Sequence, residues 1–524
     1  MSKIKLTPLR TVFIFEVIVV FLVALGLVSR EGALLILGIF IFYILFSPLE
    51  DGLILFIASI PIFLALPLTD TFDSLSSARV IILVLFLKWL FLKRKELWLN
   101  IKSLTIKKVL KDYRLELFTI ILFIIMALSI MNAMDVISAI KRIVYLANLI
   151  IIFPVIKYFV IREEYFSKRI IKAIIISFGL VFLIALGQLI SVYFSTIGGF
   201  WNWWADHFSY GFYGENLRQI VKNMNAWFAY SPAGPSVIRL FGSFTDPHSF
   251  ALYLLLTSPF LFIFIFPIFD MEKISWREFR KIKSPIKIGL LILTLFFIIL
   301  SGTRGIWISS IFGIIAIIYL FLLKKDLYRS VSFILLTILI FIIFIPISSV
   351  FTVIPQFREQ EAGETDVVLF LKRLTSILDI DEKSNQGRIY IWKMSLESIK
   401  KEPWLGVGAG NFPVVLFQDV GLAKAGSSAH NLYLNFAVES GIFSFVIVVL
   451  IFLEILLTTL FLIRSNLSPK IRLLITGIFV YLIWVFAYSF VDIALLDERV
   501  FLLFLTILGL VYGLKNRFHQ YSDL

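Results

Sequence analysis

The chain has no cysteine. That excludes a disulfide framework, a thiolate nucleophile and any zinc site built on sulfur. Charge is scarce too: 16% of the 524 residues are charged, while 60% are hydrophobic. A soluble domain of this length could not hide so much apolar surface. Histidine is rarer still, with His207, His248, His430 and His519 the whole complement. Neither His248 nor His430 stands near a carboxylate cluster at ligand spacing, so no metal site is expected. No glycine-rich phosphate loop lies on the side read below as cytoplasmic, which argues against use of ATP. Internal repeats and low-complexity tracts are also missing.

What is present is hydrocarbon. Apolar runs of about 16 to 22 residues recur along the chain, enough to cross a layer of roughly 30 Å. The expected fold class is therefore all-α, a polytopic integral membrane protein of about 14 transmembrane helices. Met1 to Arg10 is short and basic, and the first apolar run lacks a small-residue cleavage site. It reads as a retained first span rather than a signal peptide. The net charge of +14 invites a nucleic-acid reading. The basic residues, however, cluster in short segments at alternate ends of the spans, which is the positive-inside pattern. They set topology and meet anionic headgroups, so membrane lipids are expected partners and nucleic acid is not.

Spans are expected near 11–28, 32–47, 51–68 with Pro61 inside, 79–92, 115–131, 142–160 and 172–193. They continue near 246–268, 287–301, 306–323, 331–350, 440–463, 473–491 and 500–514. Roughly 30 of the 49 basic residues then fall on the inner side, with both termini cytoplasmic. The most basic segment, Lys93 to Arg114, suggests an amphipathic helix on the membrane surface, with a solvated linker as the alternative. The chain divides into transmembrane helices 1–193, an extracytoplasmic aromatic-rich segment 194–245, and transmembrane helices 246–350. A partly helical extracytoplasmic loop 351–430 and C-terminal helices with a cytoplasmic tail, 431–524, follow. The Trp and Tyr residues of 194–245, Trp227 among them, suit interfacial anchoring and also stacking on sugar rings.

Polar chemistry gathers on the outer face rather than mid-span. Arg304 sits between glycines at the mouth of a span. A cation at a helix start is opposed by the helix dipole unless an anion joins it. The alternative is a snorkelling interfacial arginine. Arg388 opens an expected helix that Lys400 and Lys401 finish and Pro403 stops. Trp392 and Leu396 lie on its packing face. Arg388 either points a guanidinium at a ligand or is a solvated loop residue. His430 precedes an apolar helix on the outer side, where an imidazole can exchange a proton at ambient pH. It can equally serve the local backbone. Arg239 precedes a further span, which Asp246 caps and Pro247 begins. Asp246 and His248 can face the same cavity as Arg239.

Two stretches then give a specific likeness. Ser301-Gly302-Thr303-Arg304-Gly305 opening a span resembles a signature of the O-antigen ligase/polymerase family. So does the run Arg388, Trp392, Pro403-Trp404-Leu405-Gly406-Val407-Gly408, then His430-Asn431-Leu432-Tyr433-Leu434 and Glu439-Ser440-Gly441. The likeness covers roughly residues 290–500. It implies a metal-independent, inverting, membrane-embedded glycosyltransferase of the GT-C type, without cofactor, at the outer face of the cytoplasmic membrane. The implied donor is an undecaprenyl-diphosphate-linked oligosaccharide. The acceptor would be another lipid-linked glycan (O-antigen or exopolysaccharide polymerase), lipid A core (ligase) or protein, and a chain-length regulator would be a fitting partner. Arg304, Arg388 and His430 would be catalytic. Arg239, Asp246, His248, Asn431, Tyr433 and Trp392 would bind substrate. The rival from another class is a flippase or transporter of lipid-linked saccharide, which calls for ionisable residues mid-span and broken helices.

Overall fold

Hydrocarbon-compatible helices form wherever the apolar runs lie, because only a helix satisfies every backbone group within lipid. A computed structural model describes residues 7–68, 75–195, 197–215, 218–219, 222, 228–231, 234–265, 285–323, 334–345, 383–418 and 428–522. The N-terminal helices are α1 (Pro8–Ala24), α2 (Gly32–Phe46), α3 (Leu49–Ser59), α4 (Ser77–Lys102), α5 (Ile106–Asp112) and α6 (Arg114–Ser129). Next come α7 (Val136–Ile150), α8 (Ile152–Arg162) and α9 (Glu164–Phe194), then the short α10 (Ile197–Trp203) and α11 (Tyr210–Tyr213). A small antiparallel hairpin, β1 (Phe228–Ser231) with β2 (Gly234–Ile238), follows. The chain resumes as α12 (Pro247–Ile265), α13 (Pro285–Leu300), α14 (Arg304–Leu323) and α15 (Ile334–Ile345). It ends with α16 (Lys383–Lys401), α17 (Leu432–Arg464), α18 (Pro469–Tyr488) and α19 (Glu498–Ser522).

This is a helical, polytopic membrane protein. Among the described residues seven helical stretches are long and apolar enough to cross a membrane, and three apolar helices are shorter. Several expected spans take another form. The stretch 51–68 is helical only to Ser59; a tight turn carries Pro61, and an extended segment follows. Proline removes the helical donor there. The extended backbone is then used by partners, with Ala65 N–H donating to Phe212 O (2.9 Å) and Leu66 N–H to Leu75 O (2.9 Å). The expected surface helix over 93–114 is instead a continuation of α4 to Lys102, then a break and the separate α5. Thr105 Oγ1 caps α5 by accepting from Lys108 N–H at 3.3 Å. Of the expected loop 351–430, residues 351–382 and 419–427 lie outside the described residues, as do Trp227 and the connections 266–284 and 324–333.

Ionisable side chains do occur inside the helical bundle, contrary to the expectation that they keep to the outer loops. Glu16, Lys157, Glu454 and Lys515 are all buried. Each has a partner, as a buried charge requires: Ser59 Oγ donates to Glu16 (2.5 Å), Lys157 pairs with Glu116 (2.5 Å) and Lys515 with Glu454 (3.5 Å). Their presence removes one argument against a transporter.

Helix packing uses small residues where backbones meet. Gly509 and Gly513, four apart on α19, face α8; a Cβ at Gly513 would stand 2.4 Å from Val160 Cγ1 and one at Gly509 2.7 Å from Ile156 Cγ2. Such small-xxx-small faces let helices approach within van der Waals contact. Gly513→Leu should therefore destabilise the purified protein by the about 1–3 kcal/mol that overpacking costs, read as a lower melting temperature. Gly187→Ala on α9, where an added Cβ would meet nothing within 4 Å, should leave it unchanged.

Candidate functional site

Asp246 shapes the first wall. It caps α12, accepting from Ser249 N–H (2.9 Å) and Ser249 O–H (2.7 Å), with Pro247 next in the chain. This fixes His248 in the first helical turn. His248 Nδ1 lies 2.6 Å from the Tyr488 hydroxyl and 3.6 Å from Asp492 Oδ2. Its Nε2 lies 3.3 Å from an Arg239 guanidinium nitrogen. Since a guanidinium can only donate, Nε2 is the acceptor and the ring proton belongs on Nδ1.

The Ser301–Gly305 turn forms the second wall. Arg239 Nε donates to Ser301 O at 2.9 Å, and Leu240 N–H to Leu300 O at 3.0 Å. Gly302, at φ +65°, lies flat under Arg239; a Cβ there would stand 3.2 Å from Arg239 Cγ. Gly305 lies against Tyr488 and Val491, where a Cβ would come to 3.0 and 2.7 Å. The two glycines of the motif thus let the Arg304 helix start between Arg239 and Tyr488. Burial first, and then the neighbouring Arg304 charge, lower the Arg239 pKa to about 10. It remains a cation at neutral pH.

His430 stands at the third wall. Its backbone is left-handed, at φ +43°, an uncommon conformation for a non-glycine residue. Four contacts impose it. Trp392 Nε1–H donates to Ala429 O (3.0 Å), and Ala429 N–H to Asn435 Oδ1 (3.2 Å). His430 N–H donates to Ser428 Oγ (3.3 Å), and Leu432 N–H to Ser489 O (2.8 Å). The imidazole is partly exposed, but its Nδ1 is buried and faces Asp492 Oδ2 at 3.6 Å.

Asp492 thus presents one carboxylate oxygen to two imidazoles, while its Oδ1 accepts from Ala494 N–H at 2.8 Å. Burial alone would raise its pKa. The two imidazoles and the Ala494 amide outweigh burial and hold it at about 2. Arg388 lies in the second turn of α16, since that helix begins at Lys383 rather than at Arg388. Its charge is felt at both His248 and Tyr488. Arg239, Arg304, Arg388, His248 and His430 therefore belong to one constellation. Among the described residues no three His, Asp or Glu side chains gather as metal ligands.

Residues 289–449 match the family model described as O-antigen ligase. The chain carries an O-antigen ligase domain, consistent with the O-antigen ligase/polymerase family. None of the curated proteins matches it. The domain supplies Arg304, Arg388 and His430. Arg239, Asp246 and His248 precede it, and Tyr488 and Asp492 follow it. The sequence reading missed Asp492 and Tyr488. The usable signal was the short turn between the last two helices, where Asp492 stands among apolar neighbours.

The remaining motif residues hold the ligase domain together. Asn431 caps α17 by accepting from Leu434 N–H at 3.0 Å. Tyr433 is buried, and its hydroxyl donates to Phe486 O at 2.8 Å. The Pro403–Gly410 run packs on the break in α17 at Ser440 and Gly441. Val407 N–H donates to Val438 O (2.9 Å) and Ile442 N–H to Pro403 O (2.8 Å). A Cβ on Gly406 would fall 2.2 Å from Val438 O, and one on Gly441 2.0 Å from Trp404 O. Only glycine fits either place, and both have positive φ.

Beside the site, Asp497 caps α19 by accepting from Arg499 N–H (3.0 Å) and Val500 N–H (3.2 Å). Burial, followed by the Asp246 charge, pushes its carboxyl from 3.8 up to about 7. The folded protein holds that proton more tightly than the unfolded chain does. The resulting stabilisation is complete below pH 3.8 and is lost as pH rises to about 7. Asp497→Asn keeps the cap and removes the titration, so its melting temperature should fall less between pH 5 and 7.5 than that of the wild-type protein.

Proposed function

We propose that the protein is a glycosyltransferase that takes a glycan from an undecaprenyl-diphosphate carrier at the outer face of the cytoplasmic membrane. The observation that carries this reading is the convergence of Arg239, Arg304 and Arg388 with His430 and its Asp492 partner. Guanidiniums present paired donors that match phosphate oxygens. With His430 Nδ1 turned to Asp492, Nε2 is left as the proton acceptor.

In the proposed reaction an acceptor hydroxyl oxygen attacks the anomeric carbon opposite the leaving group, inverting that centre. The bond from carbon to phosphate oxygen breaks and its electron pair passes to the diphosphate. The arginines stabilise that developing charge. The hydroxyl proton moves to His430, and Asp492 stabilises the imidazolium. In this mechanism the protein's cations do the electrostatic work and no metal takes part. His248, fixed neutral between Arg239 and Tyr488, aims the Arg239 guanidinium. Tyr433 and Trp392, proposed from the motif to bind substrate, direct their hydroxyl and Nε1–H at the protein, so any saccharide contact they make is through ring faces, while Asn431, whose Oδ1 caps α17, has its amide Nδ2 to offer. The acceptor is a second lipid-linked glycan, the polymerase reading that the long chain and large outer segments favour. A ligase acting on lipid A core would share the same donor chemistry. Both termini lie in the cytoplasm, and a chain-length regulator is a candidate partner.

His430→Ala and Arg388→Ala should abolish transfer without reducing membrane abundance. Lysine at Arg304 or Arg388 should also fail, because a point charge does not reproduce the fork. Asp492→Asn should lower turnover by roughly 10²-fold or more, the usual scale of positioned acid–base catalysis. Because Asp492 is ionised down to about pH 2, an acid limb of the rate above pH 4 should persist in that variant. Purified protein supplied with undecaprenyl-diphosphate oligosaccharide and alternative acceptors tests the reading. Chain extension supports the polymerase and transfer to lipid A core the ligase. No turnover with any acceptor overturns both.

A further inference from the structure

The basic stretch from Lys93 to Arg114 is left unused by the site. Eight of its residues are basic, and two, Glu96 and Asp112, are acidic. Two contacts fix the level at which it leaves the bundle. Lys88 Nζ donates to Ile44 O (2.5 Å) and Ser47 O (2.6 Å), at the end of α2. Glu96 is bonded to Arg162, the last residue of α8. Helix α4 nevertheless continues to Lys102. On this extension the outward stripe stays apolar, with Phe91 and Leu92 followed one heptad later by Trp98 (59% exposed) and Leu99 (65%). Lys95 and Lys102 share that face, and Lys102 Nζ lies 5.2 Å from the Trp98 ring. In α5, Ile106 (81% exposed) and Leu110 repeat the pattern one turn apart, flanked by Lys107, Lys108 and Lys111.

Water is a poor solvent for such a stripe, and a purely hydrocarbon surrounding is a poor one for so many ammonium groups. The boundary between them suits both. We propose that the end of α4 together with α5 forms a binding surface for anionic phospholipid headgroups of the leaflet at which α2 and α8 end. Tryptophan beside lysine is an arrangement that favours the interface. Each cation near an anionic surface adds an attraction that salt screens. The inference rests on the proposed sidedness, which makes this the cytoplasmic leaflet, but not on the reaction.

The absence of native cysteine makes the test direct. Leu99→Cys in the full chain is labelled with an environment-sensitive fluorophore and placed in nanodiscs of phosphatidylcholine alone or with about one third phosphatidylglycerol. Emission should shift to the blue and resist a water-soluble quencher only in the anionic discs. High salt should reverse the effect, as should the combined variant K102Q/K107Q/K108Q/K111Q. A label at Met134→Cys on the opposite end should not respond. Equal exposure of the Leu99→Cys label in both discs, on protein of unchanged melting temperature, overturns the proposal. Protection found only in native membranes also overturns it, in favour of a protein partner. An impermeant thiol reagent on intact cells tests sidedness separately. Labelling of Leu99→Cys from outside would defeat the topology even if the lipid response held.

Discussion

A single buried carboxylate organises the candidate site of this protein. Asp492 lies 3.6 Å from both His248 and His430 through the same oxygen. Removing a carboxylate from water is costly, and it stays ionised only because positive or donating groups surround it. That requirement brings together the start of α12, the turn before α17 and the loop after α18. Arg239 is then bound through His248, and Arg304 through the glycines that lie against Arg239 and Tyr488. Arg239 and Arg304 therefore reach the constellation through neighbours that Asp492 helps to hold.

Glycines make that convergence possible. The Ser301–Gly305 turn and the Pro403–Gly410 run are parts of the chain where a side chain would meet another backbone or ring at well under 3.4 Å. Their role is proximity rather than flexibility. Gly441 breaks α17 so that a backbone N–H and a carbonyl face the Pro403–Gly406 turn. The short segment between that break and His430 is consequently anchored at both ends. A residue at φ +43° needs such anchoring, because its preferred conformations would turn the imidazole elsewhere.

Membrane character and helical class were legible in the sequence, and Arg239, Arg304, Arg388, His248 and His430 were the side chains it singled out. Long apolar runs dictate helices in lipid, and cations flanked by glycine at span mouths are costly without a purpose. Three things were not legible. Pro61 stands inside an apolar run, yet the extended segment after it is stabilised by Leu75 and by Phe212, the latter far away in sequence. The buried pairs of Lys157 and Glu454 depend on helix rotation, which a sequence of nearly uniform hydrophobicity does not specify. Asp492 was passed over because it belongs to no motif. Its meaning comes from two histidines 244 and 62 positions earlier in the chain.

The site is also larger than the O-antigen ligase domain that contributes most of its cations. Arg239 and His248 come from before that domain, Tyr488 and Asp492 from after it. Guanidiniums at close quarters repel one another, and the lowering of Arg239 toward about 10 by burial and by Arg304 shows that cost. Short loops could not sustain it, since each would relax into water. Here Arg239 is fixed to Ser301 O and His248, and Arg304 opens a helix whose glycines lie against Arg239 and Tyr488. The energy spent in folding to hold like charges together is recovered when a dianionic group enters, and it need not be supplied again as charge develops in the transition state. Such a face suits an anionic occupant better than a neutral sugar, in keeping with the proposed diphosphate donor.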